Sequence, residues 1–124
     1  KSLLNLAKKK LNKKGQILIF SLKTNKNEIP CFKVMKSKLL KSLKKDKDLL
    51  KLVKKNLKKF KKSKFKFKVL ISKKNYIKMV EKRYISCLLN MSRKEIDNGI
   101  KEIYLKYKKN IKFSDILDCL IYQN

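Results

Sequence analysis

The sequence predicts an α/β domain with three strands and helices between them. Two observations carry that reading. Three stretches have strand character: 16–22 and 116–122 are almost continuously apolar, and 64–71 alternates Lys with apolar residues. The stretches between them carry apolar residues at helical spacing. Composition agrees, since 43% of the 124 residues are hydrophobic, a globular share. With only 2 Gly and 1 Pro, collagen-like and linker-like chains are excluded. The absence of His excludes His-dependent triads and most zinc sites.

Leu3, Leu4, Leu6, Ala7 and Leu11 mark a first helix. Gly15 is suited to the left-handed conformation that follows a helix end. Gln16–Leu22 then forms a strand expected to be covered on both faces. After a polar loop, Pro30 is expected in the first turn of a helix marked by Phe32, Met35, Leu39, Leu40 and Leu43. Asp46 or Asp48 is expected to cap a separate helix carrying Leu49, Leu50, Leu52, Val53, Leu57 and Phe60. In Lys64–Ile71, Phe65, Phe67, Val69 and Ile71 point one way and Lys64, Lys66 and Lys68 the other. That is the pattern of a half-exposed edge strand.

Ser72 is a candidate cap for a helix striped by Tyr76, Ile77, Val80, Tyr84 and Leu88, with Cys87 beside it. Ser92-Arg93-Lys94-Glu95 is a capping box. The helix it opens carries Ile96, Ile100, Ile103 and Tyr107 on one face. Gly99 lies inside that helix, where close approach of another backbone would explain it. The last strand, Ile116–Tyr122, reads as central. The order is helix, strand, two helices, strand, two helices, strand.

The formal charge is +28, and all but two of the 37 basic residues are Lys. Arg, the residue of bidentate phosphate contacts, is confined to Arg83 and Arg93. Together with abundant Asn and Ile, this reads as codon bias at exposed positions, and most of the charge as solvated surface. Cys31, Cys87 and Cys119 lack the CxxC spacing of a metal ribbon and are odd in number. They read as buried free thiols in a reducing compartment, which points to the cytoplasm. No apolar run approaches a membrane span.

The stretch Leu11-Asn12-Lys13-Lys14-Gly15-Gln16-Ile17-Leu18-Ile19-Phe20 resembles the turn into the fifth strand of class I S-adenosylmethionine-dependent methyltransferases. There a Leu-Lys-Pro-Gly-Gly type turn leads into the strand. Lys14 stands in place of the Pro, and Gln16 in place of the second Gly. The run of Ser72–Ile77, Arg83–Ser86, Met91–Ile100 and Ile111–Asp115 resembles the C-terminal part of the small-molecule type. In that family, helices between the sixth and seventh strands cover the substrate. The resemblance implies the C-terminal half of a Rossmann-like sheet, three strands with the last antiparallel, plus inserted helices. It also places the last strand between the other two, with the apolar strands internal and the Lys-rich one at the edge.

The family's glycine-rich cofactor loop needs a turn that neither Gly15 nor Gly99 provides. Residues 1–124 are therefore expected to be one partial domain. The N-terminal half that holds S-adenosylmethionine is expected to lie outside it, and the chain alone to be inactive. No catalytic, cofactor-binding or metal-binding residue is assigned to it. The resemblance puts Tyr76, Arg83, Tyr84 and Ser86 on a helix facing a small-molecule methyl acceptor, and Glu28 near the mouth of the site. Arg83 would bind a carboxylate or phosphate; its alternative is an ion pair with Glu81 or Glu102. Tyr84 reads as a core residue ahead of a substrate contact, Asp118 as a structural acid, and Cys87 lacks a base to activate it. The rival function is a Lys-rich nucleic-acid-binding module using helix 44–62 on phosphates. An anionic membrane surface is the third choice for that helix.

Overall fold

The computed structural model describes residues 2–124. In chain order these are α1 (Leu3–Lys10), β1 (Gln16–Leu22), α2 (Lys33–Leu57), β2 (Lys61–Ser72) and α3 (Lys73–Glu81). A short 3-10 helix (Ser86–Leu88), α4 (Arg93–Lys106) and β3 (Asn110–Gln123) complete them. The strands form one sheet in the order β1-β3-β2. β3 runs antiparallel to β1, with Gln16 opposite Gln123 and Leu22 opposite Leu117. The end of β2 lies beside the start of β3, where the Lys73 N–H donates to the Lys109 carbonyl at 2.8 Å. The sheet is thus antiparallel throughout, and β1 and β2 share a direction. The mixed α/β class and a central, antiparallel last strand are as expected.

Residue contacts divide the chain into two units. The first holds the residues up to Asn27, Lys44–Lys66 and Ile116–Asn124. The second holds Glu28–Leu43 and Phe67–Asp115.

In the first unit, Ser2 caps α1 by accepting from the Asn5 N–H at 3.4 Å. The α1 residues Leu3 and Leu6 are exposed, and none of the helix is buried. Its tie is Lys8, whose ammonium donates to the Asn56 carbonyl at 2.6 Å and lies 4.9 Å from the centre of the Tyr122 ring. The left-handed residue before β1 is Lys14, at φ 66°, not Gly15. Gly15 serves close approach instead. A Cβ there would stand 3.0 Å from the Asn12 carbonyl and from the Leu11 side chain.

β1 departs from its expected double coverage. Ile17 and Ile19 are half-buried, while Leu18 and Phe20 are 50% and 51% exposed. Among the described residues the strand pairs only with β3 and forms one edge of the sheet, and its Leu18 and Phe20 face is left open. Phe20 meets Phe65 with ring centres 5.6 Å apart. Phe65 and Phe67 are themselves exposed, as are Lys64, Lys66 and Lys68 on the opposite face, so the middle of β2 is open on both faces.

α2 is one helix of 25 residues where two are expected. No Gly or Pro interrupts it, and Asp46 and Asp48 sit inside it rather than capping it. Asp48 pairs with Lys51 one turn on, at 3.1 Å. Pro30 is also displaced from its expected place, since α2 begins only at Lys33. The first N–H of α2 is satisfied by an acid from another helix. The Lys33 N–H donates to the Glu102 carboxylate at 2.8 Å, favourable against the positive end of the helix dipole.

The second unit has the main core: Phe32, Met35, Tyr76, Val80, Leu88, Met91, Ile96, Ile103 and Ile111. Ser72 caps α3, accepting from the Asn75 N–H at 3.2 Å. The helix stops at Glu81 instead of running on to Leu88. Arg83 adopts φ 54°, its N–H donates to Val80 O at 2.9 Å, and the Tyr84 N–H donates to Met79 O at 3.2 Å. This is a Schellman ending with Arg in the position Gly usually takes. The capping box at α4 is complete. Ser92 Oγ accepts from the Glu95 N–H at 3.1 Å, and the Glu95 carboxylate accepts from the Ser92 N–H at 2.8 Å.

Gly99 of α4 does face a close neighbour, but it is the Phe32 ring rather than a backbone. A Cβ at Gly99 would lie 2.5 Å from three ring carbons. Gly99→Ala should therefore destabilise the fold by about 1–3 kcal/mol, against the gain expected from helix propensity alone. Denaturant melts of Gly99→Ala, Phe32→Leu and the double variant check this. The double variant should be more stable than the sum of the single losses predicts.

Candidate functional site

The residues read from the resemblance gather mainly on α3 and the turn after it. Tyr76 is buried on α3, and its hydroxyl donates to the Pro30 carbonyl. The Tyr84 hydroxyl lies 3.1 Å from that of Tyr76. Tyr76 has one proton and the Pro30 carbonyl can only accept, so Tyr84 donates to Tyr76. The two rings meet edge to face, 5.9 Å between centres. Tyr84 is not a core residue: 38% of it is exposed, while its hydroxyl faces inward on Tyr76.

Arg83 and Ser86 follow the end of α3 rather than lying on it, because the helix closes before them. The Arg83 guanidinium donates to the Leu88 carbonyl and, at 3.3 Å, to that of Leu89. It spans the 3-10 helix that Ser86 begins. Glu81 and Glu102 are not its partners among the ion pairs of the described residues. Glu28 is engaged elsewhere, accepting from the Ser114 N–H at 3.0 Å. It borders a cavity of about 370 Å³ together with Lys68 and Lys112. Asp118 belongs to the first unit and is half-buried.

Burial decides the charge states. It pushes the Tyr76 hydroxyl far above the ordinary phenol range and that of Tyr84 up to about 12. It pushes the Cys31 thiol up to about 11, with Cys87 adding to the shift. The Cys87 thiol is raised by burial as well. Both thiols are protonated at neutral pH, so neither is poised as a nucleophile. All three cysteines are free; Cys119 is buried and the other two half-buried.

One residue of this region was not anticipated. Asp115 Oδ1 is buried without a hydrogen-bond partner, and its charge opposes ionisation of Tyr84. β3 begins at Asn110, six residues before the expected start. Alternation back from Asp115 through Phe113 to the buried Ile111 is the signal that would have marked an inward-facing acid. The arrangement offers hydroxyl and carboxyl groups for positioning a polar ligand.

The residues present do not fit a cradle for S-adenosylmethionine. Neither glycine leaves open space, since Gly15 faces Leu11 and Asn12, and Gly99 faces Phe32. No helix among the described residues is long and apolar enough to cross a membrane. No family model matches the chain, and no curated protein or solved structure matches it either.

Tyr76→Phe leaves the Pro30 carbonyl without its donor and should cost about 1–3 kcal/mol. Tyr84→Phe keeps that bond and should cost about 0.5–1.5 kcal/mol; chemical melts separate the two. The raised acids also set an alkaline limit. The unfolded chain loses these protons first, so their contribution is intact below pH 9.0, the ordinary thiol value. Stability should then fall as pH rises through about 11 for Cys31 and about 12 for Tyr84. Denaturant midpoints across that range check the slope, and Cys31→Ala should flatten its lower part.

Proposed function

We propose that residues 1–124 form the closing part of a class I S-adenosylmethionine-dependent methyltransferase domain. They provide its last three strands and the helices over a small-molecule methyl acceptor. The observation that carries this reading is the sheet. An antiparallel β3 lies between β1 and β2, which share a direction. The resemblance implies that order for the fifth, seventh and sixth strands of the family. The placement of α3, the 3-10 helix and α4 between β2 and β3 supports it, because the family inserts its substrate-covering helices there.

Methyl transfer from a sulfonium is an in-line displacement and depends on positioning more than on an acid or base. The roles left to this chain are therefore orientation and exclusion of water. In this reading the half-exposed Tyr84 lines the acceptor site over the buried Tyr76, with Arg83 and Ser86 beside it, while Glu28 is held on the Ser114 N–H instead of at the mouth. S-adenosylmethionine supplies the methyl group when bound. Its contacts belong to polypeptide that pairs with the free edge of β1, where Leu18 and Phe20 remain half-exposed. The free cysteines fit a reducing compartment, the cytoplasm.

The test is the coding sequence upstream of the Lys1 codon, followed by photocrosslinking of labelled S-adenosylmethionine to the polypeptide it encodes. The expected result is an open frame with a strand, an acidic residue and a glycine-rich turn, and a crosslink upstream of β1. A stop codon followed by a start at this boundary, or an upstream frame that takes no crosslink, would overturn the reading.

A further inference from the structure

Within the first unit, α2, β2 and β3 border a cavity of about 600 Å³ beside the end of β1. Its lining concentrates charge. Lys47, Lys51 and Lys54 recur at one-turn spacing on a single face of α2, and Lys62 and Lys64 share a face of β2. Two different elements thus contribute lysines to the lining of the same cavity. The lining has one carboxylate, Asp118, paired across the sheet with Ser21, which also borders the cavity. Lys51 has an ion pair with Asp48, but both side chains are about two-thirds exposed, so that pair yields readily to a stronger anion.

We propose that this cavity binds an organic polyphosphate of nucleotide size. Five ammonium groups against one carboxylate select a multiply charged anion. Lysines are flexible point charges without the planar fork of Arg, so they suit the tetrahedral oxygens of a phosphate chain. The apolar Leu50 and Leu120 on the lining give an organic moiety a surface to rest on. Asp118 accepts from a hydroxyl or amino group of that moiety. The volume falls in the range of roughly 300–1,000 Å³ typical of small-molecule sites. This site is separate from the Tyr76–Tyr84 region and does not rest on the methyltransferase reading.

Calorimetric titration of the 124-residue chain with ATP as the probe, at about 0.15 M salt, tests it. The expected result is saturable one-to-one binding. Lys51→Gln, Lys54→Gln and Lys62→Gln together should weaken it by roughly tenfold or more. The same charge removed elsewhere, by Lys9→Gln, Lys41→Gln and Lys101→Gln, should change it by less than about twofold. On the unaltered chain, bound ATP should protect Lys51, Lys54, Lys62 and Lys64 from acetylation ahead of the other lysines. This second readout holds even if the triple variant fails to fold.

Three results would overturn the proposal: no saturable binding, equal losses in the two triple variants, or protection spread over the whole surface. Inorganic tripolyphosphate binding as tightly as ATP would remove the organic part of the assignment. A short oligothymidylate that binds more tightly than ATP and is unaffected by the cavity variants would make the basic surface a nucleic-acid interface instead.

Discussion

The second unit depends on an aromatic ring standing where a side chain is missing. Phe32 occupies the space over Gly99, and that contact is possible only because α4 carries no Cβ there. The neighbouring residues join the same fastening. The Lys33 N–H reaches Glu102 three residues along α4 from Gly99, and the Pro30 carbonyl receives the Tyr76 hydroxyl from α3. Residues 30–33 are thereby held against two helices by one packing contact and two hydrogen bonds. Each polar group is satisfied from a different helix; shifting α3 strands the buried Pro30 carbonyl, and shifting α4 exposes the first N–H of α2 to water.

The features readable in advance were those set by local chemistry. Ser72 and Ser92 cap their helices because a short hydroxyl competes well for the first free N–H groups. The centrality of β3 was readable because continuous apolar sequence has few other places to go. The errors arose where tertiary context overrode a local signal. Asp46 and Asp48 looked like caps, yet nothing nearby breaks the backbone, and α2 ran through them. The opposite happened at Arg83, where a helical apolar pattern continues but the backbone turns left-handed. No glycine marks that ending, and the guanidinium on the Leu88 and Leu89 carbonyls compensates for the strained position.

The candidate residues divide in the same way. Tyr76 and Tyr84 come together because α3 ends at Glu81 and the left-handed turn at Arg83 brings the Tyr84 hydroxyl back to that of Tyr76. The sequence does not mark Asp115, because the start of β3 is polar, although its alternation matches that of a strand. The lysines of the first unit carry a further lesson. Composition treats all of them as surface, and only the pairing of α2 spacing with β2 alternation separates the five that share a cavity from the rest.

The place of β3 in the sheet has a consequence for how the chain acquires its structure. Among the described residues β1 and β2 do not pair with each other; each pairs with β3, which follows both in the chain. During synthesis, the apolar β1 and the aromatic stretch of β2 must wait for their shared partner while the ribosome adds the residues up to Asn110 and beyond. At ordinary elongation rates that wait lasts some seconds. Over that interval the lysines interleaved along β2 keep one waiting strand from adhering to other chains, a protection β1 lacks. Of these strands, the β3-facing edge of β1 therefore stays open longest with no charge to guard it.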